Sequence, residues 1–108
     1  MSEHRPLRIA IGADHRGAEA ARRLAEMLGE QGHECRLVGP CASESTAGNA
    51  CDYPEPAYRV ARLVASGAVD RGVLICGTGI GVAIAANKVR GVRAAVVHDE
   101  LTANLSRS

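Results

Sequence analysis

Tryptophan and phenylalanine are absent from this 108-residue chain, and two tyrosines are its only aromatics. Without large rings the core has to be assembled from Ala, Val, Leu and Ile. Interior volume is then thin, and a partner subunit would add much to stability. The same absence removes the stacking platform that a single-stranded nucleic acid would need. Neither sign of charge is in excess: 13 Lys and Arg against 12 Asp and Glu leave a formal charge of +1. That balance argues against nucleic acid or an acidic membrane as partner. No apolar run approaches the ~20 residues of a membrane span, and Met1-Ser2-Glu3-His4-Arg5 lacks the hydrophobic segment of a signal peptide. A soluble cytoplasmic protein is expected. Cys35, Cys41, Cys51 and Cys76 form no CxxC pair and have no histidines at zinc spacing, so neither a disulfide framework nor a metal site is expected.

What is present is an alternation of apolar runs with helical patterns, read as one domain over residues 1–108. Leu7 to Ala13 is apolar except for Arg8, a strand. From Gly17 onward Ala20, Ala21, Leu24 and Leu28 recur at helical spacing, and Gly32 ends that helix. Glu34 to Val38 reads as a second strand. Residues 39–51 are rich in Ser, Gly and Ala without periodicity and read as a long loop, a common place for function. Asp52 caps a helix with Pro54 and Glu55 in its first turn, Ala57, Val60, Ala61 and Val64 on one face and Gly67 at its end. Val73-Leu74-Ile75-Cys76 is a continuous apolar run, as in a parallel strand buried on both faces. A glycine turn, a helix from about Gly81 to Val89, a strand from Val92 to Val97 and a last helical piece with Leu101 and Leu105 complete the order. The fold expected is α/β, Rossmann-like, a three-layer αβα arrangement around a parallel sheet of order 2-1-3-4 with right-handed crossovers. The helix containing Val82-Ala83-Ile84-Ala85-Ala86 is apolar all round, so a partner subunit is expected to cover part of it.

In such sheets ligands bind beyond the carboxyl ends of the strands, where neighbouring connections leave in opposite directions. With this order the crevice lies between the first and third strands, which brings Asp14, His15, Cys76 and Thr78 together. The Cys76-Gly77-Thr78-Gly79-Ile80-Gly81 turn joins a strand to a helix, and its N–H groups converge at the positive end of the helix dipole. That point suits a phosphate, a carboxylate or an enediolate. It is neither a Walker loop nor a dinucleotide fingerprint, since it lacks both Gly-Lys-Ser/Thr and GxGxxG spacing. A thiol at a helix N-terminus has a lowered pKa and serves as nucleophile or base, while Cys76 equally reads as a small buried hydrophobe. Asp14 is either a cap for the following helix or a residue of the crevice, and His15 either a solvated loop residue or a contact for phosphate or a sugar hydroxyl. Tyr53 either packs locally or reaches the crevice. His98 faces the same side further out, His4 and His33 read as surface residues, and Asn87-Lys88 as a helix C-terminal dipole partner with a packing polar group.

The segments Ile-Gly-Ala-Asp-His-Arg-Gly (11–17), Asp-Tyr-Pro (52–54), Gly-Val-Leu-Ile-Cys-Gly-Thr-Gly-Ile-Gly (72–81), Ile-Ala-Ala-Asn-Lys (84–88) and Gly-Val-Arg-Ala-Ala (91–95) together resemble the ribose-5-phosphate isomerase B family. That family also includes galactose-6-phosphate isomerase subunits, and the resemblance runs in order from residue 7 to Arg107. It implies a cofactor-free homodimer that interconverts aldose and ketose phosphates, typically D-ribose 5-phosphate and D-ribulose 5-phosphate. By resemblance Cys76 is the base moving a proton between C1 and C2, and Thr78 assists ring opening. The amides of Gly77, Gly79, Ile80 and Gly81 would hold the cis-enediolate, Asp14 the sugar hydroxyls and His15 the phosphate side, with Tyr53 in the substrate pocket. Family members continue past Leu-Ser-Arg into a His-Asn motif, a fifth strand and a C-terminal helix with phosphate-binding arginines. The sequence stops at Ser108, so those elements are expected to be missing, and the 39–51 loop looks longer than usual. The alternative expectation is therefore a shortened, catalytically impaired phosphosugar-binding or dimerisation module, with a redox role for Cys76 as a third.

Overall fold

In the computed structural model the described residues are 5–14, 16–38, 54–76, 80–97 and 99–107. The elements run β1 (Arg8–Ala13), α1 (Ala18–Glu30), β2 (Glu34–Val38), α2 (Pro54–Ala65), β3 (Arg71–Ile75), α3 (Ile80–Asn87) and α4 (Glu100–Ser106). The strands form a parallel sheet of order β2-β1-β3. Register is set by Arg8↔Glu34 through Gly12↔Val38 on one side of β1 and by Ile9↔Arg71 through Ala13↔Ile75 on the other.

β1 is the central strand, and every residue from Ile9 to Ala13 is buried. Its alternate side chains supply two separate layers, as the two-residue repeat of a strand requires. Ile9, Ile11 and Ala13 pack with Ala21, Leu24 and Leu28 of α1 on one face. Ala10 packs with Val60, Leu63 and Val64 of α2 on the other. A third cluster, Ala57 of α2 with Val82 and Ala85 of α3, lies on the α2 face and reaches Leu74 and Cys76. The result is the expected three-layer αβα arrangement with a core of small aliphatic side chains.

Helices α1 and α2 stop by the same device. Gly32 and Gly67 take φ of +98° and +82°. His33 N–H donates to Leu28 O at 3.0 Å and Gly32 N–H to Gly29 O at 3.0 Å, while Ala68 N–H donates to Leu63 O at 3.0 Å and Gly67 N–H to Val64 O at 3.1 Å. These are Schellman motifs, in which glycine tolerates the left-handed residue that satisfies the last carbonyls. Both turn the chain directly into, or just before, a strand.

Two expectations are met only in part. The fourth strand is not formed among the described residues. Residues 92–97 alternate half-buried and exposed as a strand would, but join no ladder. In this segment the Asn87 side chain engages both backbone groups of Ala94, accepting from its N–H at 2.8 Å and donating to its carbonyl at 3.0 Å. Secondly, β3 is covered on both faces, Val73 and Ile75 towards α1 and Leu74 and Cys76 towards α2 and α3, but these residues are only half-buried, because β3 pairs with β1 on one side alone among the described residues.

Candidate active site

The switch point is visible in the packing. β1 leads into α1 on one face of the sheet, and β3 leads towards α3 on the other. In such sheets this reversal marks the carboxyl ends of β1 and β3 as the place where ligands bind. Asp14 and Cys76 are the next residues outward from the last registered pair, Ala13↔Ile75, and Asp14 N–H donates to Ile75 O at 3.3 Å. The two residues thus leave adjacent strand ends side by side.

Asp14 does more than end the strand. Gly17 N–H donates both to its carboxylate Oδ1 at 2.8 Å and to its carbonyl at 3.0 Å, closing the turn before α1. Helix α1 itself starts from Gly17 without a side-chain cap. The turn is tight against β3: a Cβ on Gly17 would fall 2.9 Å from Ile75 O and 2.8 Å from Ile75 Cγ2. Gly12 has a similar role within β1, where a Cβ would fall 2.9 Å from Val60 Cγ2 and 3.2 Å from Leu74 Cδ2. Missing side chains at these two places let α1 and α2 close on the strand ends that carry Asp14 and Cys76. Cys76 is half-buried against Ala57, Val82 and Ala85, which form an apolar wall.

Of the other sequence-predicted residues, the backbones of Ile80 and Gly81 form the first turn of α3, whose amides have no carbonyl partner within the helix. His15, Tyr53, Gly77, Thr78 and Gly79, together with His98, lie outside the described residues. Asn87 is the polar group of the pair and ties to Ala94, while Lys88 is exposed. His33 is not a bare surface residue: it is half-buried, and its Nδ1 accepts from Leu7 N–H at 3.1 Å. The clearance at Gly17 is a feature that sequence reasoning misses, although a glycine directly ahead of a helix that must dock on a strand end is the signal for it. Among the described residues no three His, Cys, Asp or Glu side chains gather as metal ligands. Burial raises the pKa of the Cys35 thiol, which sits on β2 against the α1 layer. A groove of about 540 Å³ is lined by Arg36, Val38, Arg59, Arg62 and neighbours, but it belongs to β2 and α2, across β1 from Cys76.

The sequence model of the ribose/galactose isomerase family, LacAB_rpiB, matches residues 9–108. The chain belongs to this family. It is 46% identical over 100 residues to ribose-5-phosphate isomerase B of Escherichia coli K12, covering 93% of this chain and 64% of that protein. D-erythrulose-4-phosphate isomerase of Pectobacterium atrosepticum is 40% identical over 101 residues, with 94% and 64% covered. The solved structure of Clostridium thermocellum ribose-5-phosphate isomerase B superposes with a TM-score of 0.81 at 46% identity, covering 93% of this chain and 64% of that one. Family and fold therefore agree, and the chain spans just under two thirds of the length of these relatives. No helix among the described residues is long and apolar enough to cross a membrane.

Proposed function

We propose that this family member is an aldose–ketose isomerase of sugar phosphates, with D-ribose 5-phosphate and D-ribulose 5-phosphate as its pair, acting as a cytoplasmic homodimer. The observation that carries this reading is the placement of Cys76 and Asp14 on adjacent strand ends at the switch point of a chain matching the isomerase family over residues 9–108. The Cys76 thiolate removes the C2 proton of the open-chain aldose. The electron pair forms the C1–C2 double bond of a cis-enediolate, with negative charge on O1. Returning the proton to C1, with transfer of the O2 hydroxyl proton to O1, leaves the ketose. The reaction moves hydrogen within one molecule, so its redox balance closes without a cofactor. Amides of Gly77, Gly79, Ile80 and Gly81 at the start of α3 would oppose the charge on O1, an arrangement that contributes about 3 kcal/mol per well-placed donor. Thr78 would assist ring opening, Asp14 would hold sugar hydroxyls, His15 the phosphate and Tyr53 the pocket wall.

Substrate identity is the finer aspect of the proposal, because relatives of similar identity carry the names of different sugar-phosphate isomerases. A second reading is a phosphosugar-binding module without turnover, in which Cys76 packs as a small apolar side chain against Ala57, Val82 and Ala85. Exchange of the C2 deuterium of ribose 5-phosphate with solvent separates them. Wild-type protein should catalyse exchange, and Cys76→Ala or Cys76→Ser should lower it by about 10²–10⁴, the usual worth of a general base. Wild-type exchange no faster than buffer, with calorimetric binding that survives loss of Cys76, would establish the binding module instead.

A further inference from the structure

Cys76 sits against a wall that is itself held mainly by small apolar contacts. Val82 and Ala85 of α3 meet Ala57 of α2, and Cys76 packs on this cluster. Contacts between alanines and valines fix how closely two helices approach but are non-directional, so they define axial slide and rotation weakly. Directional contacts hold the other end of α3. Asn87, the last residue of the helix, donates from Nδ2 to Ala83 O at 3.0 Å and to Ala94 O at 3.0 Å, and its Oδ1 accepts from Ala94 N–H at 2.8 Å. Both sides of the carboxamide are therefore engaged. One side chain pairs with Ala94 as a neighbouring strand would, in a segment that otherwise joins no ladder.

We propose that Asn87 is a positioning residue for Cys76: its carboxamide locks the register of α3 against residues 92–97 and thereby sets the apolar wall on which Cys76 packs. The idea rests on the isomerase reading for its kinetic arm alone. Asn87 is exposed, so water competes for its hydrogen bonds and their net worth to folding is modest, while their geometry is still specific. Loss of the carboxamide should therefore leave a folded chain with a misplaced thiol.

The test uses the whole chain and follows alkylation of Cys76 by iodoacetamide, with peptide mapping by mass spectrometry to separate it from Cys35, Cys41 and Cys51. Asn87→Ala should keep its far-ultraviolet circular dichroism and change the Cys76 alkylation rate by about fivefold or more. Its kcat for ribose 5-phosphate should fall about tenfold or more at little-changed KM, as a small misplacement of a reacting group produces. Asn87→Asp keeps the acceptor for Ala94 N–H and loses the donor, and should fall between the two. Folded variants whose alkylation and kcat stay within about twofold of wild type overturn the proposal. Failure of both variants to fold also overturns it, making Asn87 a folding residue. Should wild-type protein show no turnover, the isomerase reading fails while the alkylation comparison still decides the role of Asn87.

Discussion

A methyl group on Gly17 would meet the Ile75 carbonyl oxygen at 2.9 Å, and backbone cannot swing aside as a side-chain tip can. Either α1 backs away from β3 or Ile75 shifts, and Ile75 directly precedes Cys76. Gly17→Ala should therefore lower stability by about 1–3 kcal/mol, the usual range for overpacking. It should also alter Cys76 alkylation, which denaturant titration and peptide mapping would measure side by side. Gly29 provides the contrast. It lies within α1, and a Cβ there would meet nothing within 4 Å. Gly29→Ala should raise stability by about 0.5–1 kcal/mol, because alanine restricts the unfolded chain and favours helix. If both substitutions moved stability in the same direction, the clearance argument for Gly17 would be wrong.

At the scale of elements, one ion pair fixes how β1 enters the sheet. Arg8 NH2 lies 3.1 Å from Asp70 Oδ1, its Nε donates to Oδ2 at 3.3 Å, and its backbone N–H donates to the same Oδ2 at 2.8 Å. The Arg8 side-chain hydrogen bond is the main reason that the Asp70 carboxyl is held at about 2, below its ordinary 3.8. A carboxyl with a depressed folded pKa stabilises fully above its unfolded value and loses that contribution as pH falls through the folded one. The stability difference between wild type and Asp70→Asn should thus be constant near neutrality, shrink from about pH 3.8 towards pH 2, and be reduced by salt, since the pair is exposed. Thermal melts at stepped pH would check it, and a difference unchanged at pH 2 would refute it. Much of this level is legible in the sequence: Gly32 and Gly67 mark the helix ends because the left-handed residue of a Schellman motif favours glycine. The Ile9 to Ala13 run marks the central strand because both of its faces are covered. The 92–97 segment is not legible, since its apolar alternation is that of a strand and nothing in the pattern reveals that Asn87 takes the backbone of Ala94. The Arg8–Asp70 pair is hidden because its partners are 62 residues apart. For the site, the topology brings Asp14 and Cys76 together from element order alone, whereas the clearance at Gly17 depends on a distance that spacing does not encode.

For the whole molecule, the composition and the surface point the same way. A chain with two aromatics buries mostly Ala, Val and Ile, with Ile11 and Pro56 its largest fully buried side chains among the described residues. Helix α3 has no polar face to turn outward: Val82, Ala85 and Ala86 go into the core, and Ile84 is left 56% exposed on the opposite side. An isoleucine on water beside alanines forgoes hydrophobic stabilisation that a second copy would recover, at about 25 cal/mol per Å² of apolar area covered. Because α3 also forms the wall behind Cys76, a seam on its outer face would hold the site from behind, so association and catalysis should be coupled. Ile84→Glu places a charge in that seam, where desolvation opposes it, while leaving the inward residues Val82 and Ala85 untouched. The variant should keep its helical circular dichroism, sediment as a monomer where wild type sediments as a dimer, and lose C2 proton exchange in proportion to the dimer lost. A wild-type chain that sediments as a monomer at about the micromolar concentrations typical of modest interfaces would remove the dimer from the proposal. A variant that remains dimeric would place the seam elsewhere, on a surface such as that of Leu101 and Leu105, which are 65% and 63% exposed one turn apart on α4.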